Sequence, residues 1–413
     1  MPYSANRTLI VQTLVDYFTE NPEFKTAFEQ SFRIAYATGI KEFKTFNIQS
    51  VDDYLRYMDD FVNWTPTEDS SGTNVYNHIC MFYFILDLPP VREYQSPVDP
   101  SVHYPWRWLS DWLVEYAREM GRWMDSDASI NEDAIKSFED SPACRDTAET
   151  KFYDQYSRPP NGWVTFNEFF ARSINPSFRP VADPSNASVI VSPADCTFDG
   201  VWAVTENPAE ATTFEAKGVP WNIGQLIGDG QYGPEFAGGV FTHSFLKMTD
   251  YHRVHSPVAG VVVQAQVIEG LCHLEVDLDT EVGTPGGAPR LRMRRPMLTE
   301  VKGPANTSPQ TVRNWDGELV PGYQFVQARA AIIIDSAIGL VAVLSIGMAQ
   351  ISSVVMTVQE GDNIEKGQEI SYFQFGGSDV VMIFQKEANV KLDQEKGMRY
   401  KVGSRIGRGE VRR

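Results

Sequence analysis

From Thr8 to about residue 140, apolar residues recur at spacings of three and four, in LIVQTLVDYF, FKTAFEQSFRIAY, VDDYLRYMDDFV, NHICMFYFIL and WRWLSDWLVEYAREM. That spacing places them on one face of a 3.6-residue repeat and predicts a series of amphipathic helices. Asn21-Pro22 is expected to open one helix and Pro89-Pro90 to close another, while Ser96 to Pro105 is too rich in proline for helix or strand. Beyond about residue 185 the pattern changes to short β-branched and aromatic runs bounded by Gly, Pro and Asp, among them SVIVSPADCTFDGVWAV, GGVFTHSF, SPVAGVVVQAQVIE, FVQARAAIIIDS, GLVAVLSIG and DVVMIF. The expected fold is α+β, a helical region over 1–145 followed by a β-rich region over 146–413.

Within the β-rich part, VVMTVQEGDNIEKGQEISYFQF reads as two strands around a turn, the unit of small barrel-sandwich modules. It has no lysine at the turn position that would carry a lipoyl group. A long insertion between Asp277 and Tyr323 carries Arg290, Arg292, Arg294 and Arg295. It reads either as a lid whose arginines meet a substrate carboxylate or as a solvated excursion.

The length of 413 residues suggests two or three folding units, and 42% hydrophobic against 22% charged residues is the composition of a chain that folds. A formal net charge of -18 argues against nucleic acid and against the anionic face of a membrane. The short N-terminal apolar run is interrupted by Gln12 and Asp16, unlike a signal peptide, and no run reaches the roughly 18 apolar residues a membrane span needs. Cys80, Cys144, Cys196 and Cys272 are widely separated, as expected of free thiols in a reducing compartment. A cytoplasmic protein without stable membrane insertion is the expectation.

Titratable chemistry is concentrated in TDYHRVHSPVAG, where Asp250, His252 and His255 converge if the chain turns between them. A metal site there would lack the helical HExxH pattern, and the ordinary reading is two histidines bonded to backbone at strand ends. Near the C-terminus, Gly376 and Gly377 interrupt an alternating strand just before Ser378, in YFQFGGSDVVMIF. Glycine there reads as a bulge or as a place where the peptide twists to expose its carbonyl to the Ser378 hydroxyl. A serine attacks only when a base takes its proton, and a base needs a third group to hold it. Asp195 in VSPADCTFDG, His255 and Ser378 supply such a set in chain order.

Four blocks together, TFNEFFARSINPSFRPV (165–181), SPADCTFDG (192–200), KMTDYHRVHSPVAG (247–260) and KGQEISYFQFGGSDVVMIF (366–384), resemble the pyruvoyl-dependent phosphatidylserine decarboxylases. The resemblance implies self-cleavage between Gly377 and Ser378, with Asp195 as orienting acid, His255 as base and Ser378 as nucleophile and precursor of a pyruvoyl group. It implies His252 for the later proton transfer to the substrate carbanion. A Schiff base to the pyruvoyl ketone would carry the decarboxylation of an amino acid with neither pyridoxal phosphate nor metal. The two cleavage fragments would stay associated.

Two positions depart from the pattern, Cys196 where many members have glycine and Asp379 where many have Ser or Thr; a carboxylate beside the scissile bond could alter the rate or pH dependence of maturation. The helical first region, the acidic charge and the FGGS sequence are similar to the soluble branch of the family, including fungal L-tryptophan decarboxylases of the psilocybin type. The expected substrate is therefore a free, tryptophan-like amino acid, with phosphatidylserine as the alternative. A serine hydrolase built on the same residues would lack the G-x-S-x-G elbow, and an uncleaved binding protein would keep the fold without the chemistry.

Overall fold

The computed structural model describes residues 7–206, 213–216, 219–228, 231–279, 289–294, 322–348 and 353–412. These hold eleven helices and eighteen strands, in the order expected: helices first, then a β-rich region. The helix Val51–Val62 shows why the first half folds as it does. Ser50 caps it by accepting the Asp53 amide at 3.1 Å, Asp52 and Asp53 complement its positive end, and Tyr54, Leu55, Met58, Phe61 and Val62 form the buried stripe. The helix Asn74–Leu86 is apolar nearly all round, and Ile79 through Leu86 are buried on every side. Pro22 occupies the first turn of Pro22–Ala37, as its fixed φ favours. Pro89, by contrast, opens a short helix, Pro89–Arg92, just after the previous helix has ended.

The β region is built on an eight-stranded sheet. Its order is Asn363–Ile364, Gly260–Ile268, Arg329–Ser336, Gly339–Met348, Gly377–Phe384, Val240–Leu246, Cys196–Ala203 and Arg399–Tyr400. All of its pairings are antiparallel. A smaller sheet pairs Glu369–Phe373 with Val354–Met356 on one side and Arg253–His255 on the other. The turn expected between Val354–Met356 and Glu369–Phe373 is more than a hairpin loop, because Asn363–Ile364 within it pairs with the larger sheet. One face of the large sheet buries Val380, Met382 and Phe384, the other Val381 and Ile383.

The helical core does not stop at the region's edge. It runs from Ile10 through the helices into Met248, Tyr251, Met348, Phe375 and Val402 of the β region. Helical and β parts thus share apolar surface around the residues just before Ser378.

Candidate active site

The Gly377–Phe384 strand lies between Gly339–Met348 and Val240–Leu246 and is buried along its whole length. At its start Ser378 pairs with Gly347 on one side and Leu246 on the other. Immediately upstream, Gly376 has φ of 147°, a setting that residues with a Cβ rarely adopt. Of the glycine pair, Gly376 is therefore the one whose backbone conformation calls for glycine where the chain enters the strand.

Ser378 has no exposed surface, and its Oγ lies 3.0 Å from Nδ1 of His252, itself fully buried. Nε2 of that ring is 3.2 Å from the Met248 carbonyl oxygen. A carbonyl only accepts, so Nε2 carries the proton and Nδ1 offers its lone pair to the serine hydroxyl. The Phe170 ring stacks on the imidazole at 4.1 Å, and Phe373 meets it edge-on at 6.4 Å. An aromatic wall therefore shields the serine–histidine pair, and Phe170 comes from the block FNEFFAR.

His255 has other partners. Its Nδ1 donates to the Gly367 carbonyl at 2.7 Å, and Nε2 accepts from the Tyr251 hydroxyl at 3.0 Å. Burial pushes its pKa down against the opposing pull of Gly367 and Glu369. Asp195 is also fully buried, and its Oδ1 accepts from Arg179 Nε at 2.7 Å and from the Val402 amide at 2.9 Å. Arg179 Nη2 holds its other oxygen, and the same guanidinium continues to Asp146, which Lys401 reaches at 2.7 Å. Asp195 thus acts on His255 through charge alone. Asp250 accepts from the Lys247 amide at 2.8 Å and pairs with Arg399 at 2.6 Å. Burial raises its pKa to about 6 despite that arginine. Asp250, His252 and His255 therefore each face a different partner, and only His252 is hydrogen-bonded to Ser378.

The phosphatidylserine decarboxylase family model matches residues 166–408, more than half the chain and all the residues just described that approach Ser378. The chain belongs to this family. It is 31% identical over 274 residues to phosphatidylserine decarboxylase proenzyme 3 of Schizosaccharomyces pombe, a match covering 62% of this chain and 24% of that protein. It is 26% identical over 281 residues to decarboxylase iboD of Amanita muscaria, covering 67% of this chain and 71% of that one. With the phosphatidylserine decarboxylase proenzyme of Chlamydia trachomatis it shares 26% identity over 234 residues, 57% of this chain and 64% of the relative. The chain thus spans about a quarter of the yeast proenzyme's length.

Within this family member, Asp379 faces away from Ser378 and joins a buried array that sequence reasoning did not find. His243 on the adjacent strand places Nε2 3.4 Å from Asp379 and Nδ1 3.1 Å from Asp199. Asp199 sits where the register shifts between Phe198 and Gly200, an irregularity that aims its side chain at the histidine. Burial alone lowers the His243 pKa, but the two carboxylates overcome it and lift the value to about 9. The array was invisible in the sequence because its members come from three strands whose register no local pattern encodes. Of the insertion's arginines, Arg292 and Arg294 pair with Asp277 at 3.5 and 3.7 Å across the hairpin formed by Val276–Asp279 and Arg290–Met293. Arg295 and residues 295–321 lie outside the described residues.

Proposed function

We propose that the chain is a self-processing pyruvoyl-dependent decarboxylase, cleaving itself between Gly377 and Ser378 and then removing the α-carboxylate of an amino acid. The observation that carries this is the 3.0 Å contact between Ser378 Oγ and Nδ1 of His252, at a Gly-Gly-Ser sequence. As Oγ bonds to the Gly377 carbonyl carbon, His252 takes the hydroxyl proton; the C–N bond breaks and the freed nitrogen is protonated, leaving an ester. Loss of the Ser378 α-hydrogen together with the Gly377 carboxylate leaves dehydroalanine. Addition of water with release of ammonia then leaves a ketone at the new N-terminus.

The surroundings of Ser378 suit such a group, because the side chain is out of water and beside a histidine of fixed tautomer. Once formed, the ketone supplies an electron sink for the charge left by departing CO2. His252 remains at hydrogen-bond distance from that position, placed to return a proton to carbon. The resemblance assigned the first proton transfer to His255, whereas hydrogen bonding favours His252 for it, with His255 and Asp195 in a supporting layer.

For the substrate we favour a free amino acid over a lipid headgroup, a tryptophan-like side chain being what the resemblance to the soluble branch suggests. The net charge of -18 disfavours an anionic lipid surface, and no helix among the described residues is long and apolar enough to cross a membrane. The match over most of decarboxylase iboD, a relative whose name specifies no lipid, is compatible with this reading. Phosphatidylserine is the second reading, favoured by the names of the yeast and bacterial relatives.

The test combines mass spectrometry of the purified protein with CO2 release from a panel of amino acids and from phosphatidylserine vesicles. We expect chains 1–377 and 378–413, the second lacking an N-terminal amine, and CO2 from a soluble amino acid. CO2 from the vesicles alone would transfer the activity to the lipid. An intact, inert chain would end the enzyme reading, and an intact chain that hydrolyses esters would favour a serine hydrolase.

A further inference from the structure

The residues preceding the proposed scissile bond are held by a side chain that the chemistry above does not use. Asn167, buried in the Phe166–Phe170 helix, accepts the Phe375 amide on Oδ1 at 3.0 Å. Its Nδ2 donates to Oδ1 of Asp125 at 2.8 Å, and the Gln374 amide group reaches the same carboxylate oxygen at 3.4 Å. The backbone that carries Asn167 is anchored at the start of its helix. Thr165 caps its helix by accepting the Glu168 amide at 3.2 Å, Glu168 accepts the Val164 amide at 2.7 Å, and Ser129 accepts the Phe166 amide at 2.9 Å. The Trp64 ring meets Phe375 edge-on at 6.3 Å.

Asp125 lies just past the C-terminal end of Trp108–Met124, where the helix dipole opposes a carboxylate. A carboxylate there is disfavoured locally, so its two amide contacts to the segments around 167 and 374 are what it contributes. Beyond Phe375 the backbone passes directly into the positive φ of Gly376 and then to Ser378.

We propose that Asp125 and Asn167 form a clamp that sets the position of the Gly377 carbonyl for attack by Ser378, making the helical region a working part of self-cleavage. Both are positioning residues, acting through the Phe375 backbone. The clamp rests on the self-cleavage reading above, since cleavage is what it serves. Its polarity is specific: a carboxylate on the helix end accepts, and an amide in the middle donates one way and accepts the other. Exchanging the two side chains, by combining D125N with N167D, keeps a donor facing an acceptor and still leaves a carboxylate oxygen for the Phe375 amide, and gives up only the longer 3.4 Å Gln374 contact, whose acceptor oxygen becomes the donating nitrogen.

The experiment follows the cleavage rate of freshly made full-length chains by gel. N167D sets two carboxylates face to face and is expected to slow cleavage at least about 10-fold, since small misplacements of reacting groups cost rates of this order. Adding D125N is expected to bring the rate back to within about threefold of the parent, the non-additivity that marks a direct contact. A parent that cleaves alongside an equally fast N167D overturns the clamp alone, as does a folded double variant as slow as N167D. A parent that stays intact overturns the cleavage reading and the clamp with it. Should N167D fail to fold, hydrogen exchange at the Phe375 amide in S378A chains with and without N167A decides. Faster exchange with N167A supports the clamp, and equal exchange overturns it.

Discussion

His252 and His255 carry the same side chain in one short motif, yet only His252 meets Ser378. The chain turns at Lys247–Asp250, closed by a 3.0 Å amide-to-carbonyl bond, before the Arg253–His255 strand begins. His252 leaves the turn toward Ser378, and His255 is carried on to Gly367 and Tyr251. Replacing His252 by Ala should therefore leave uncleaved precursor, slowed by about 100-fold or more, the scale of a lost general base. The corresponding change at His255 should slow cleavage less than about 10-fold on the same scale. Gel analysis of the two variants side by side checks this, and the reverse order would return the base to His255. His243 makes a prediction about pH. Its folded pKa of about 9 exceeds the ordinary histidine value of 6.5. The stabilisation from its pairing with Asp199 and Asp379 is thus complete below about pH 6.5 and is lost as pH rises through about 9. Thermal melts between about pH 6 and 10 should show that decline. D379N should flatten it by weakening the pairing; an unchanged profile in D379N would separate Asp379 from His243.

At the scale of the element, the site depends on a strand that starts abruptly and on a short helix that is capped at its start. Gly376 permits the abrupt start, and Gly376→Ala forces a Cβ into φ of 147°, a strain of about 1–3 kcal/mol at the segment that must present the Gly377 carbonyl. Precursor should accumulate in that variant, and normal maturation would show that the backbone setting is dispensable. The Phe166–Phe170 helix has only five residues, too few to persist without its caps and packing. Thr165→Ala should lower stability by about 1 kcal/mol, measured by denaturant unfolding. These elements were partly legible beforehand. TFNEFFARSINP belongs to one of the blocks that carry the family resemblance, but nothing local tells that Asn167 reaches a residue 208 positions away.

Taken whole, the proposed cleavage would sever a short C-terminal segment, 378–413, without loosening it from the sheets. Residues 378–413 supply a strand inside the large sheet, a strand at its edge in Arg399–Tyr400, and Arg405–Arg408 paired with Val189–Val191. Arg399 to Asp250, Lys401 to Asp146 and the Val402 amide to Asp195 tie the same segment to the remainder. Ion pairs of partly exposed residues weaken in salt, whereas burial of the Gly377–Phe384 strand does not. The two fragments should therefore co-elute in size-exclusion chromatography in about 1 M salt, roughly ten times the ionic strength that screens charges beyond about 10 Å, and part only in denaturant. Separation by salt alone would mean that the sheet is not what joins them.

The sequence alone determined the order of helical and β-rich regions, because periods of 3.6 and 2 are local properties of side-chain direction. It also singled out the serine after Gly376-Gly377 and the paired histidines as candidates for chemistry, since those residue types carry their reactivity wherever they stand. Only the tertiary structure decided which histidine faces Ser378, that Asp195 is engaged by Arg179, that Asn167 and Asp125 meet the residues just before the Gly377–Phe384 strand, and that His243 faces Asp379 within it. Those partners lie far apart along the chain, and what brings them together is strand register and the apolar core shared by helices and sheet, which no window of neighbouring residues contains.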